Sequence, residues 1–219
     1  MPRARLALAL ALCVPAIAVA QDAPRPSPLF NGRDLEGWTR FGGKAEAWAV
    51  EDGMLVSLGE GGGWLGTTRD YADFHLAFEF RVGPGANSGI YLRAPAETSH
   101  ISRTGMEIQI LDDHAERYKD LKPWQFTGAL YHVAAPERGH LKPTGEWNRM
   151  EIALEGNHLV ITLNGATVVD DRLDSHPELE KEHTGLARRT GRIGIQSHNG
   201  RVEYRNVMIS EKTQAGDVR

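Results

Sequence analysis

Apolar and polar residues alternate along much of the chain. In Phe74-His75-Leu76-Ala77-Phe78-Glu79-Phe80-Arg81-Val82 every even position is apolar and most odd positions are polar. A period of two puts the apolar set on one face, which predicts a half-buried antiparallel strand. Similar strand-like segments run over Trp48 to Leu58, Gly89 to Arg93, Met106 to Leu111, Arg149 to Leu154, His158 to Leu163, Arg192 to Ser197 and Val202 to Ser210. Turn residues separate them, among them Glu155-Gly156-Asn157 and Asn164-Gly165, and the first of these predicts a hairpin. Only Ser175 to Glu182 invites a helical reading. Many short strands without a βαβ rhythm predict an all-β chain, a two-sheet antiparallel β-sandwich of jelly-roll type. Without an internal repeat or linker, one domain is expected over residues 27–211, followed by a flexible tail over 212–219. Residues 112–148 contain Pro123, Pro136 and Pro143 and no clear strand pair. A connection that long is usually functional or locally structured.

The N-terminus follows a different pattern. Arg3 and Arg5 precede an apolar run from Leu6 to Val19, and Ala18-Val19-Ala20 precedes Gln21. This predicts a cleaved signal peptide over residues 1–20 and a periplasmic or secreted location. The run is too short for a spanning helix, and no other segment is apolar enough to cross a bilayer. The one cysteine, Cys13, lies inside it, preceded by Leu12 where a lipoprotein signal wants a small side chain. Cleavage after Ala20 would leave 199 of the 219 residues, with no thiol or disulfide chemistry. Loss of Arg3 and Arg5 would move the formal charge from −4 to −6, and without basic clusters nothing points to nucleic acid as partner.

Six ordered segments carry a family resemblance: Leu29-Phe30-Asn31-Gly32-Arg33-Asp34-Leu35-Glu36-Gly37-Trp38, Asn87-Ser88-Gly89-Ile90-Tyr91-Leu92-Arg93, Gly105-Met106-Glu107-Ile108-Gln109-Ile110-Leu111-Asp112-Asp113, Thr127-Gly128-Ala129-Leu130-Tyr131, Glu146-Trp147-Asn148 and Gly191-Arg192-Ile193-Gly194-Ile195-Gln196. Together they resemble the 3-keto-disaccharide hydrolase family, from about Leu29 to Ile209. The resemblance implies a concanavalin A-like lectin/glucanase fold and activity on glycosides whose C3 hydroxyl is oxidised to a ketone. Carbohydrate is the partner it implies.

Glu107, Gln109 and Asp112 form the most informative constellation. In a regular strand Glu107 and Gln109 share a face and Asp112 falls on the other; a bulge after Gln109 would return it. The triplet resembles a degenerate form of the Glu-x-Asp-x-x-Glu pattern of retaining family 16 glucanases. Gln replaces the central acid and Asp the second Glu, which argues against standard two-carboxylate hydrolysis. A 3-keto sugar needs less: one base for the acidified C2 hydrogen, a group for the enolate oxygen and a proton for the leaving oxygen. Glu107 or a histidine is the candidate base, and Arg93 or a metal the candidate enolate stabiliser. Of nine scattered histidines, His198 is the leading candidate and His132 the second, and no helical metal spacing occurs. A divalent cation is left open, as is the oligomeric state. Trp124 is the expected sugar platform, with Tyr91, Gln109 and Tyr131 as further substrate contacts; Trp38, Trp48 and Trp147 are expected in the core. Gly61-Gly62-Gly63 lacks the residues of a phosphate loop and reads as a flexible loop. Two other functions compete: a non-catalytic lectin-like module, and a conventional glucanase.

Overall fold

The computed structural model describes residues 25–97 and 99–212. The expected signal peptide, and the expected tail beyond Lys212, lie outside the described residues. Thirteen strands are numbered here in chain order: β1 (Ser27–Pro28), β2 (Trp38–Phe41), β3 (Trp48–Glu51), β4 (Met54–Ser57), β5 (Trp64–Thr67), β6 (Phe74–Val82), β7 (Asn87–Ala94), β8 (Met106–Leu111), β9 (Asn148–Glu155), β10 (His158–Leu163), β11 (Ala166–Arg172), β12 (Arg192–Gln196) and β13 (Val202–Glu211). They make two antiparallel sheets. The larger runs β11-β10-β9-β6-β13-β4-β3, with β1 also paired to β13; the smaller runs β2-β5-β12-β7-β8. This is the two-sheet antiparallel sandwich expected from the alternating pattern.

Turn chemistry sets the hairpins. Asn164 and Gly165 join β10 to β11 with φ of 51° and 90°, the twist that matches the flanking strands. Asp52 and Gly53, at 49° and 79°, do the same between β3 and β4, so the segment expected as one strand from Trp48 to Leu58 is two. The Gly156-Asn157 hairpin forms between β9 and β10 as expected. The strands β2, β5 and β11 escape the sequence reading because WTRF, WLGT and ATVVDDR do not alternate apolar with polar residues. No regular helix forms over Ser175 to Glu182: two 3₁₀ turns, Leu173–Ser175 and Pro177–Leu179, replace it. Pro177 supplies no N–H and disfavours helical geometry at His176 (φ −115°, ψ 56°).

The core lies between the sheets. Leu76, Phe78, Phe80, Met150 and Ile152 from the larger sheet meet Leu65, Ile90, Leu92, Ile108 and Ile195 from the smaller, none more than 2 % exposed. Each such side chain contributes about 1.5–3 kcal/mol by leaving water. One polar chain crosses this layer. Tyr204 Oη of β13 donates to Ser88 Oγ (2.8 Å), which donates to the Gln196 carbonyl (2.6 Å), so the backbone of β12 is pinned from the opposite sheet.

Candidate active site

With the odd residues of β6 and the even residues of β8 facing known sides, the register of the smaller sheet fixes its outer face. Tyr91 of β7 pairs with Glu107 of β8, and Gly89 with Gln109. Gly194 of β12 pairs with Tyr91, and Gln196 with Trp64 of β5. These residues alternate with the core-facing isoleucines, so Glu107, Gln109, Tyr91, Gln196 and Trp64 share the outer face. Gly89 lies in the middle of the polar group. A Cβ there would collide with Glu107 Oε1, so the missing side chain is what lets the carboxyl lean across β7.

The long connection expected to be functional borders this face along the edge strand β8. It carries 3₁₀ turns at Glu116–Tyr118 and Pro123–Gln125 and then docks on β8 by backbone bonds: Gln109 N–H to Ala129 O (3.0 Å), Gly128 N–H to Gln109 O (2.9 Å) and Tyr131 N–H to Glu107 O (2.9 Å). That docking carries Trp124, Tyr131 and His132 to the Glu107 side. Trp124 meets Tyr131 edge-on at 5.2 Å and His132 at 4.2 Å, and Gln125 Nε2 donates to Tyr131 Oη at 3.2 Å.

Electrostatics single out Glu107. It is 3 % exposed, and burial pushes its carboxyl up to about 8, with only the adjacent Gln196 amide working against the rise. Its protonated and ionised forms are therefore both accessible near neutral pH. Tyr91 Oη accepts from Gln196 Nε2 at 2.8 Å, which leaves its own proton free to donate. Burial, and then the neighbouring Glu107, hold that phenol well above the ordinary tyrosine range, so it stays protonated. A weak acid, an amide and a neutral hydroxyl thus surround Gly89.

The remaining expected residues are placed differently. Arg93 is fully buried, and all five of its N–H donors are used: Nε and Nη2 on Ala72 O (3.0 and 2.8 Å), Nη2 on Asp73 Oδ1 (3.0 Å), and Nη1 on Gly156 O (2.7 Å) and Arg188 O (2.9 Å). No donor remains for an enolate, so Arg93 is a clamp tying three loops to the end of β7. Asp112 is corrected too. β8 pairs with β7 in unbroken register, without the bulge that would turn Asp112 toward Glu107. Its carboxylate instead accepts from Gly85 N–H (2.8 Å), Thr144 Oγ1 (2.6 Å) and His114 N–H (3.3 Å), tying down loops.

Gln109 shares Glu107's face and reaches Asn87 Oδ1 at 3.4 Å. His198 is exposed and lines a groove of about 380 Å³ with Trp64, Tyr91, Gln196 and His100, its Nδ1 3.0 Å from Asn199 Oδ1. Trp38 and Trp48 are buried in the core as expected, whereas Trp147 is sandwiched between Arg81 and Arg205 on the outside of the larger sheet. Gln196 was legible only as part of a motif, and no local pattern marks it as the partner of Glu107. Among the described residues no three His, Cys, Asp or Glu side chains gather as a cation-binding cluster.

The protein is thus a two-sheet antiparallel sandwich that carries a buried carboxyl on the outer face of its smaller sheet. The chain belongs to the 3-keto-alpha-glucoside-1,2-lyase-like domain family, whose model matches residues 25–210. It is 25 % identical to a 3-keto-disaccharide hydrolase of Bacteroides thetaiotaomicron, over 86 % of this chain and 79 % of that one. Two crystal structures from Parabacteroides distasonis ATCC 8503, provisionally designated glycosyl hydrolases, superpose with TM-scores of 0.75 and 0.74 at 27 % and 28 % identity. They cover 86 % and 85 % of this chain and 94 % and 99 % of their own. At the level of fold alone, a carbohydrate-binding module from Bacillus subtilis is similar as well (TM-score 0.56, 14 % identity, 80 % and 96 % covered).

Proposed function

We propose that this carbohydrate-active protein cleaves glycosides whose C3 hydroxyl has been oxidised to a ketone. The observation that carries the reading is Glu107, a buried carboxyl pushed up to about 8 beside Gln196 and Tyr91. A base with a pKa near the working pH suits proton abstraction next to a carbonyl. Glu107 takes the C2 hydrogen, and the electron pair of that C–H bond moves into an enolate whose oxygen is the former ketone. The enolate then expels the C1 oxygen substituent, leaving a C1–C2 double bond conjugated with the ketone. The leaving oxygen takes up a proton. Addition of water across the double bond gives a free 3-keto sugar and makes the overall change a hydrolysis; without it the reaction is an elimination.

Tyr91, whose hydroxyl is held by Gln196 and keeps its own proton free, is the donor positioned for developing oxyanion charge, in the role first expected of Arg93. Trp124 and Tyr131 supply ring surface for a pyranose. Family membership and the similarity to the Bacteroides hydrolase support the oxidised substrate. An exported setting, periplasmic or secreted, is part of the same proposal and rests on the N-terminal sequence pattern.

The test is incubation of the purified protein with a 3-keto-disaccharide and with its unoxidised parent, following released sugar with and without a chelator. Cleavage of the oxidised sugar alone supports the reading, and chelator sensitivity would add a metal to it. Binding without cleavage of either would favour a lectin-like module, and cleavage of the parent a conventional glucanase.

A further inference from the structure

Cleavage at Glu107 leaves one proton without a source, the one that the leaving C1 oxygen takes up. Glu107 stands in a row of outer-face residues that continues past the edge of the sheet. Tyr91 of β7 is its neighbour on one side. On the other side the long connection runs against β8, with Leu130 bridged to Ile108 and the Tyr131 N–H on the Glu107 carbonyl at 2.9 Å. Leu130 and Ile108 are both fully buried, so the residues next to them, Tyr131 and Glu107, turn to the outer face together. Paired backbones lie about 4.8 Å apart, so those of Tyr91 and Tyr131 flank that of Glu107 at comparable distances.

Both hydroxyls are held in the same way. Gln196 Nε2 donates to Tyr91 Oη, and Gln125 Nε2 donates to Tyr131 Oη at 3.2 Å. The far end of the Gln125 amide fixes its orientation, because Oε1 accepts from the Lys122 N–H at 3.1 Å and a backbone N–H can only donate. An amide hydrogen on the phenol oxygen leaves the phenol's own proton to donate. The two tyrosines differ in exposure: Tyr91 is 6 % exposed, whereas Tyr131 is half-buried beside Trp124.

Sugar geometry then separates their tasks. C2 is bonded to both C1 and C3, so with the C2 hydrogen on Glu107 the ketone oxygen and the glycosidic oxygen lie on opposite flanks. The ketone belongs with Tyr91, the drier donor, where developing charge is stabilised most. The glycosidic oxygen then falls on the Tyr131 side, where Trp124 offers ring surface to the departing group. We propose that Tyr131 is the acid of the reaction, delivering its proton to the glycosidic oxygen as the C1–O bond breaks and its electron pair passes to that oxygen. When water adds, the Tyr131 oxygen takes a proton from the water whose oxygen bonds C1, and Glu107 returns its proton to C2, so both residues are restored. In an elimination alone, the proton on Glu107 passes to Tyr131 through solvent. The assignment rests on cleavage at Glu107.

The test compares two 3-keto-glucosides that differ in leaving group: a 3-keto-disaccharide, whose sugar alkoxide needs a proton, and a para-nitrophenyl 3-keto-glucoside, whose phenolate leaves without one. Tyr131→Phe keeps the ring and removes only the hydroxyl. It is expected to slow the disaccharide by about 10²–10⁴-fold and to leave the nitrophenyl glycoside within an order of magnitude of wild type. That retained activity also shows that the variant folds. Tyr91→Phe should slow both. Equal slowing of both substrates by Tyr131→Phe with native circular dichroism, an unimpaired disaccharide, or a leaving-group dependence confined to Tyr91→Phe would overturn the assignment. If the wild type cleaves neither 3-keto substrate, the failure lies with the cleavage itself, and the assignment falls with it.

Discussion

Each sheet carries one nearly buried glutamate on its outer face, and the two are treated in opposite ways. On the larger sheet, Glu203 of β13 is 7 % exposed and flanked by Arg81 and Arg201. Burial alone would raise its pKa, but the two arginines outweigh it and hold the carboxyl below the ordinary range. On the smaller sheet, Glu107 of β8 is 3 % exposed with no arginine or lysine paired to it, and burial carries it up to about 8. The difference lies in neighbours rather than depth: paired charge makes a structural ladder, and unpaired burial makes a titratable group near neutral pH.

That contrast is sharpened most by Glu107→Gln. The amide keeps the shape and removes the base, so turnover of a 3-keto-disaccharide is expected to fall by about 10²–10⁴-fold with the fold retained. Steady-state kinetics beside circular dichroism check this; full activity in the variant would remove Glu107 from the chemistry. The next effect concerns Arg93. Arg93→Met should destabilise the protein by about 3–5 kcal/mol, because it leaves Asp73 without its charge partner and removes the donors that hold the Ala72, Gly156 and Arg188 carbonyls. Urea unfolding measures it, and a loss of activity at unchanged stability would restore a role for Arg93 in the site.

The pH profile follows from the direction of the Glu107 shift. A carboxyl whose pKa is raised in the folded state binds more protons there, so its contribution to stability is full below about 4.5 and is lost as pH rises toward about 8. The steepest slope is about 1.4 kcal/mol per pH unit. Activity should move the other way, rising with ionisation of Glu107 and levelling above about pH 8. Thermal unfolding and initial rates across pH 5–9 compare wild type with Glu107→Gln, which should lack the sloping stability term. The smallest effect is on the opposite sheet. Glu203→Gln should cost about 1 kcal/mol, since Arg81 and Arg201 are partly exposed and water screens the pairs, and should leave activity unchanged. Its depressed pKa makes that contribution present at neutral pH and lost as pH falls below about 4.5, opposite in sign to Glu107.

How much of this was readable beforehand differs between elements. The β6 alternation is a period-two signal over nine residues, and the core side chains follow from it directly. β5, at four residues, supplies Trp64 to the site face without any comparable signal. Glu107 and Gln109 were legible as neighbours on one face because the pleat guarantees it. Asp112 was misread because a bulge is a tertiary decision, and the pairing of β8 with β7 ran straight through.

By itself, then, the sequence determined the all-β class, the hairpin turns, the family and the carboxyl at position 107. Those depend on local periodicity, on backbone angles that only certain residues tolerate, and on motifs fixed along the chain. Tertiary structure alone decided which polar groups are free. Arg93 and Glu107 both stand on adjacent strands, but loops distant in sequence satisfy every donor of the first, while burial with only an amide and a hydroxyl beside it leaves the second to titrate. Free energies of charge depend on surroundings assembled from across the chain, which no local pattern encodes.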